Sequence, residues 1–189
     1  EKVLDEVLEK LINIGKSKKP GPTWEDSSSL PPIVSKKQAN RIESLVNNSV
    51  EMGASIIEGG SWYETNYGGY FYQPTYLENV TKEMPAFKEE IFGPVINIDK
   101  FSDDEEGLNM ASHPTYGLAA CIHTSNLNKA INMSKKIESG MVWINHWGYP
   151  DDFTHPAGGY NNHWTRNIIS SNIKIFIHFV LCLPLFFIY

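Results

Sequence analysis

Cysteine is scarce in this sequence: Cys121 and Cys182 are the only two among 189 residues. Neither has the CxxC or Cys/His spacing of a zinc site or redox pair, and each lies in an apolar run, so both read as buried reduced thiols. A basic excess is missing too. Sixteen lysines and arginines stand against 22 acidic residues, a net charge of −6. No broad cationic surface is left to hold phosphate backbones, which excludes nucleic acid as a partner. Long apolar runs are absent except at the end, where residues 175–189 are apolar apart from His178 and Pro184. About 15 residues fall short of the roughly 20 that a helix needs to cross a hydrocarbon core, and Pro184 interrupts them. A membrane anchor through this tail is therefore the weaker reading. No basic segment leads into an apolar one at the start, so no secretory signal is read there and a cytoplasmic protein is expected. The first residue is glutamate rather than methionine, which points to a chain that starts mid-gene.

What is present is ordinary globular composition, 41% hydrophobic and 20% charged, enough chain for one domain with a core. Residues 161–189 break with it, carrying Arg166 and Lys174 and no acid. Residues 1–160 form the body, and 161–189 an aberrant apolar tail.

Within the body, Val3, Leu4, Val7, Leu8, Leu11 and Ile12 recur at helical spacing opposite Asp5, Glu6, Glu9 and Lys10. This predicts an amphipathic helix with Gly15 as its C-cap. Residues 16–32 read as a loop. Ser35 with Gln38 has capping-box form, and Ile42, Leu45, Val46 and Val50 continue a helix that Gly53 ends. Strands are expected at 55–57, 70–76 and 94–101. Ser102 with Glu105 repeats the capping box before a short helix. A strand at 118–123, a helix at 127–137 closed by Ser139-Gly140, and a strand at 141–144 complete the body. Strands alternating with helices predict a three-layer α/β fold with a mostly parallel sheet flanked by helices.

One stretch is far more specific: Lys88-Glu89-Glu90-Ile91-Phe92-Gly93-Pro94-Val95. It resembles the EEIFGPV signature of the aldehyde dehydrogenase superfamily. Pro32-Ile33-Val34-Ser35 with Gln38, Gly53-Ala54 with Gly59-Gly60, and Gly69-Tyr70-Phe71 with Pro74-Thr75 resemble further family segments in order. So do Tyr116-Gly117-Leu118-Ala119-Ala120, Gly140-Met141-Val142-Trp143-Ile144-Asn145 and Pro156-Ala157-Gly158-Gly159-Tyr160. The resemblance covers about residues 1–160 and implies the C-terminal part of an aldehyde dehydrogenase catalytic domain. Beyond Tyr160 it stops.

The family oxidises a small-molecule aldehyde to a carboxylic acid: a cysteine thiolate attacks the carbonyl and a hydride passes to NAD or NADP. The resemblance begins downstream of that cysteine, so it implies no catalytic residue here and a chain inactive by itself. For the cofactor it implies that Glu90 accepts hydrogen bonds from both hydroxyls of the nicotinamide ribose, since a carboxylate offers two oxygens to vicinal donors. Phe92 would pack beside the nicotinamide ring. Gln38 and Arg41 match positions that touch the adenosine side, and Leu118 one that lines the nicotinamide pocket. Each has a plainer reading: Glu90 a solvated loop acid, Phe92 and Leu118 core residues, Gln38 part of a cap.

At the substrate end, Ala157 stands where the family commonly has Phe, which reshapes the aldehyde tunnel, and Trp147, Tyr149 and Phe153 can supply apolar walls. His146 and His155 with two aspartates need no metal to explain them. The family also implies a homo-oligomer, because a final strand in many members joins a partner subunit's sheet. Two functions remain open: a portion of an NAD(P)-dependent aldehyde dehydrogenase, or a non-catalytic pseudoenzyme or membrane-tethered interaction protein.

Overall fold

The computed structural model of the chain describes residues 3–146 and 159. It divides into two compact units, Lys2–Lys100 and a second from Phe101 onward.

The first unit opens with α1 (Leu4–Ser17), whose first turn carries Asp5 and Glu6 and whose last turn carries Lys16, matching the helix dipole at both ends. Gly15 is not its cap. It lies inside the helix and is buried; a Cβ there would sit 2.7 Å from the Tyr76 hydroxyl, which donates to the Leu11 carbonyl at 2.6 Å. The glycine answers to a close approach rather than to a turn. α2 (Lys36–Glu51) starts as expected, with the Ser35 hydroxyl accepting from Gln38 N, and Gly53 follows its end at φ 111°. Ile42 and Val46 on its inner face are wholly buried, packing with Leu77, Tyr72, Val80, Met84, Ala86 and Ile91. Each such aliphatic side chain contributes about 1.5 to 3 kcal/mol.

The strands are β1 (Ser55–Glu58), β2 (Thr75–Glu78) and β3 (Val95–Asn97), in the order β1-β2-β3. The expected strand over 70–76 is displaced. Tyr70 and Tyr72 make only isolated bridges, to Ile33 and Trp62, and the ladder begins after Pro74, which has no N–H to contribute. β1 and β2 are antiparallel, β2 and β3 parallel. The reason lies in the connections: residues 59–74 contain no helix, so the chain returns beside the strand it left, whereas between β2 and β3 a crossover includes the four-residue α3 (Pro85–Lys88), as parallel neighbours require. Pro85 at the first helical position of α3 was a start signal that periodicity alone does not reveal.

The second unit contains α4 (Asp104–Ala111), β4 (Ala119–Ile122), α5 (Leu127–Lys136) and β5 (Met141–Ile144). β4 and β5 pair in parallel across the α5 crossover. Ile122, Met133, Ile137 and Val142 form the core, with Phe101, Leu108, Ala111 and Ala120 against it. The α4 cap is Asp103, whose carboxylate accepts from Glu105 N and Glu106 N, not Ser102. The Ser102 hydroxyl instead donates to the Glu106 carboxylate at 2.6 Å and draws its pKa below the ordinary value. The fold is thus α/β with mixed pairing, parallel in two of the three strand pairs among the described residues. Among the described residues no helix is long and apolar enough to cross a membrane; the tail at 161–189 lies outside them.

Candidate functional site

The Glu89–Val95 segment is an irregular connection between α3 and β3, and three sets of bonds hold it. At its start, the buried Ser49 hydroxyl on α2 accepts from Ala86 N at 2.8 Å and donates to the Leu45 carbonyl, pinning α3 to α2. At its end, Thr75 N donates to the Pro94 carbonyl at 2.8 Å, and Asn97 Nδ2 donates to the Ala86 carbonyl. In the middle, two α2 side chains reach backbone carbonyls. Arg41 Nη1 donates to Glu90 O at 2.5 Å and to Ile91 O at 3.3 Å, while Nη2 meets the Glu89 carboxylate at 3.1 Å. Gln38 Nε2 donates to Ile91 O at 2.7 Å and to Phe92 O at 3.3 Å.

Gly93 has a steric cause. A Cβ on it would lie 2.7 Å from Ile42 Cδ1, so the backbone can approach α2 only without a side chain. Just before it, Phe92 sits at φ 53°, a left-handed conformation that side chains seldom adopt and that clusters at ligand-holding loops. The residue is 53% exposed, while Glu90 is half-buried. Nearby, Trp62 Nε1 donates to the Glu43 carboxylate and its ring meets Tyr72 edge-on at 4.7 Å. Burial, then the Glu43 charge, pushes the Tyr72 hydroxyl up to about 12.

The sequence profile of the aldehyde dehydrogenase family matches residues 1–172. This chain belongs to the aldehyde dehydrogenase family. It is 36% identical over 160 residues to an aldehyde dehydrogenase of Emericella nidulans, covering 85% of this chain and 32% of that protein. With the chloroplastic betaine aldehyde dehydrogenase of Beta vulgaris it shares 34% identity over 145 residues, 77% of this chain and 29% of the relative. The NAD+ complex of the Bacillus cereus aldehyde dehydrogenase superposes with a TM-score of 0.78 at 33% identity, covering 86% of this chain and 32% of that one. The chain therefore spans about a third of the length of the curated relatives it matches.

Of the residues that the family resemblance singled out, the structure places Glu90 and Phe92 on one connection, with Gln38 and Arg41 reaching its backbone from α2. Leu118 belongs to the second unit, half-buried just before β4, its carbonyl accepting from Met141 N. Trp147, Tyr149, Phe153 and Ala157 lie outside the described residues, as do His155 and Cys182. Cys121 is buried in β4 at 4% exposure. Its Sγ lies 3.1 Å from His123 Nε2 and donates to the His146 carbonyl at 3.0 Å; burial pushes the thiol's pKa up. A thiol kept protonated in a core strand is a poor nucleophile. Ser49 and the Trp62–Glu43 pair were missed from sequence, although Ser49 lies seven residues after Ile42 on the inner face, where a polar residue among apolar ones is a signal.

Proposed function

We propose that residues 1–160 are the C-terminal part of the catalytic domain of an NAD(P)-dependent oxidoreductase that converts a small aldehyde into a carboxylic acid. In this reading residues 161–189 are a separate apolar tail. The thiol nucleophile is not among these 189 residues, so the chain alone does not turn over. The complete enzyme is a homo-oligomer, an expectation that rests on the family.

One observation carries the reading: Glu90 and Phe92 stand two residues apart on a connection whose backbone is bonded from α2 at Glu90, Ile91 and Phe92. The residues present fit a nicotinamide nucleotide. A carboxylate suits two vicinal ribose hydroxyls, which only donate into it, and the phenyl ring of the half-exposed Phe92 offers an apolar face to a flat heterocycle. When bound, the nicotinamide supplies a hydride acceptor. The work of this chain is orientation: Glu90 holds the ribose by its hydroxyls, Phe92 limits the ring's freedom, and the strained backbone at Phe92 keeps the two in register. Holding reactants in a near-attack geometry lowers the barrier without any covalent step by these residues.

The test replaces the corresponding third of the Bacillus cereus relative with residues 1–160. Aldehyde-dependent reduction of NAD or NADP by this chimera, lowered about ten- to a hundredfold by Glu90→Gln, supports the reading. The 189-residue chain alone gives none. Turnover by the chain alone that vanishes in Cys121→Ser sinks it.

A further inference from the structure

Positions 38 and 41 are one helical turn apart, so their side chains leave α2 on the same face. That face meets three consecutive carbonyls, of Glu90, Ile91 and Phe92. Carbonyl oxygens gathered on one side repel each other, and buried ones need donors. Arg41 and Gln38 supply donors here, with the two terminal nitrogens of the guanidinium and the amide nitrogen all directed at the 89–92 stretch. Behind the stretch, Ile42 blocks any side chain at Gly93, so the connection is pressed from one side and drawn from the other. The left-handed backbone of Phe92 persists only because its surroundings over-determine it.

From this geometry we propose that Arg41 and Gln38 are positioning residues. They act through the backbone of residues 90–92, set the direction in which Glu90 and Phe92 face, and need no contact with the adenosine side of the cofactor. The inference rests on the cofactor reading above. Its chemistry is specific to a fork. The guanidinium addresses a carbonyl through one nitrogen and the Glu89 carboxylate through another, on a fixed plane that spreads its donors apart, whereas an ammonium offers all three of its own from one rotatable nitrogen. Gln38 acts as a donor, so a carboxylate of the same size at that position repels the carbonyls it replaces a bond to.

Two measurements test it. In the isotope-labelled 189-residue chain, Phe92 gives a strong intraresidue amide-to-Hα nuclear Overhauser effect, the signature of a positive φ. Arg41→Met and Gln38→Glu weaken it and shift the amide resonances of residues 89–93, leaving those of β2 in place; Arg41→Lys does so partially and serves where the harsher variants fail to fold. An unchanged Phe92 signal in all three variants overturns the clamp. In the chimera, Arg41→Met raises the cofactor KM and slows hydride transfer on the order of tenfold, with aldehyde KM and the rate of thiol alkylation unchanged. Because Arg41 acts through Glu90, adding it to Glu90→Gln costs little more than Glu90→Gln alone. Additive losses overturn the proposal, since they indicate an independent contact with the cofactor. A chimera that takes no NAD or NADP sinks the cofactor reading and the role built on it, while the Phe92 signal still reports on the clamp itself, so the two failures are told apart.

Discussion

Among the described residues, the β2–β3 and β4–β5 crossovers are built by opposite means. Between β4 and β5 the chain runs through α5, a ten-residue helix capped by Asn126, whose side chain accepts from Lys129 N three residues on. Met133 and Ile137 fill the core beneath it. Its cap is local, and its long-range contacts are the apolar core and one side-chain ion pair, Lys129 with Asp104 at 2.6 Å. Between β2 and β3 the helix is only four residues long, and the rest of the path is irregular. There the long-range bonds are polar: Arg41, Gln38 and Ser49 reach 37 to 54 residues along the chain to hold backbone groups. Regular secondary structure satisfies its own backbone, and an irregular segment must borrow donors from elsewhere. The borrowed donors make the second crossover a place where side chains can be presented in unusual directions, and that is where the family motif sits.

The comparison breaks most severely through the cores. Leu77→Ala in the first unit and Ile122→Ala in the second each remove a wholly buried side chain and cost about 2 to 5 kcal/mol. Urea melts followed by circular dichroism, with unit-specific resonances to tell the losses apart, check that each stays in its own unit.

Gly93→Ala comes next. Its new methyl meets Ile42 Cδ1 at 2.7 Å, an overpacking that costs about 1 to 3 kcal/mol, and it disturbs the Phe92 signal as well as the melt. Pairing it with Ile42→Val removes the clashing methyl and restores part of both. A double variant no better than Gly93→Ala alone contradicts the steric account.

Caps should matter less, and only locally. Asp103→Ala and Asn126→Ala each lose the acceptor for their helix's first amides and cost about 1 kcal/mol, with no change at Phe92. Urea midpoints and the Phe92 resonance read both halves of that expectation.

The smallest effect is in pH. Burial lowers the His123 pKa below its ordinary 6.5. A base with a depressed folded pKa leaves stability unaffected above the unfolded value and loses it as pH falls below, because the unfolded chain then binds more protons. Melts at pH 7.5 and 5.5 (about one unit either side of that value) should therefore show a loss in the wild-type second unit that His123→Gln reduces. An equal loss in both assigns the dependence to other groups.

Legibility in the sequence followed the same division. α2 with its Ser35 cap and Gly53 end, α5, β4 and β5 were readable because each is specified by neighbours a few residues away: a cap, a periodic face, a glycine. The motif at residues 88–95 was readable as a motif, and Glu90 and Phe92 with it. Gly15 was misread because a helical glycine and a terminal one look alike until Tyr76 is known to press on it. Ser102 was misread because Asp103, one residue on, competes for the same amides and wins.

Local chemistry in the sequence therefore determined most of the helices and strands, though not α3 or the start of β2, and the ordered motifs determined the family. Tertiary structure alone decided three things: that β1 runs against β2, that Gly93 faces Ile42, and that Arg41 and Gln38 turn inward to the carbonyls of residues 90–92. All three depend on groups far apart in the chain meeting in space. A backbone carbonyl has no residue letter, so a side chain that bonds to one leaves no pattern in the sequence.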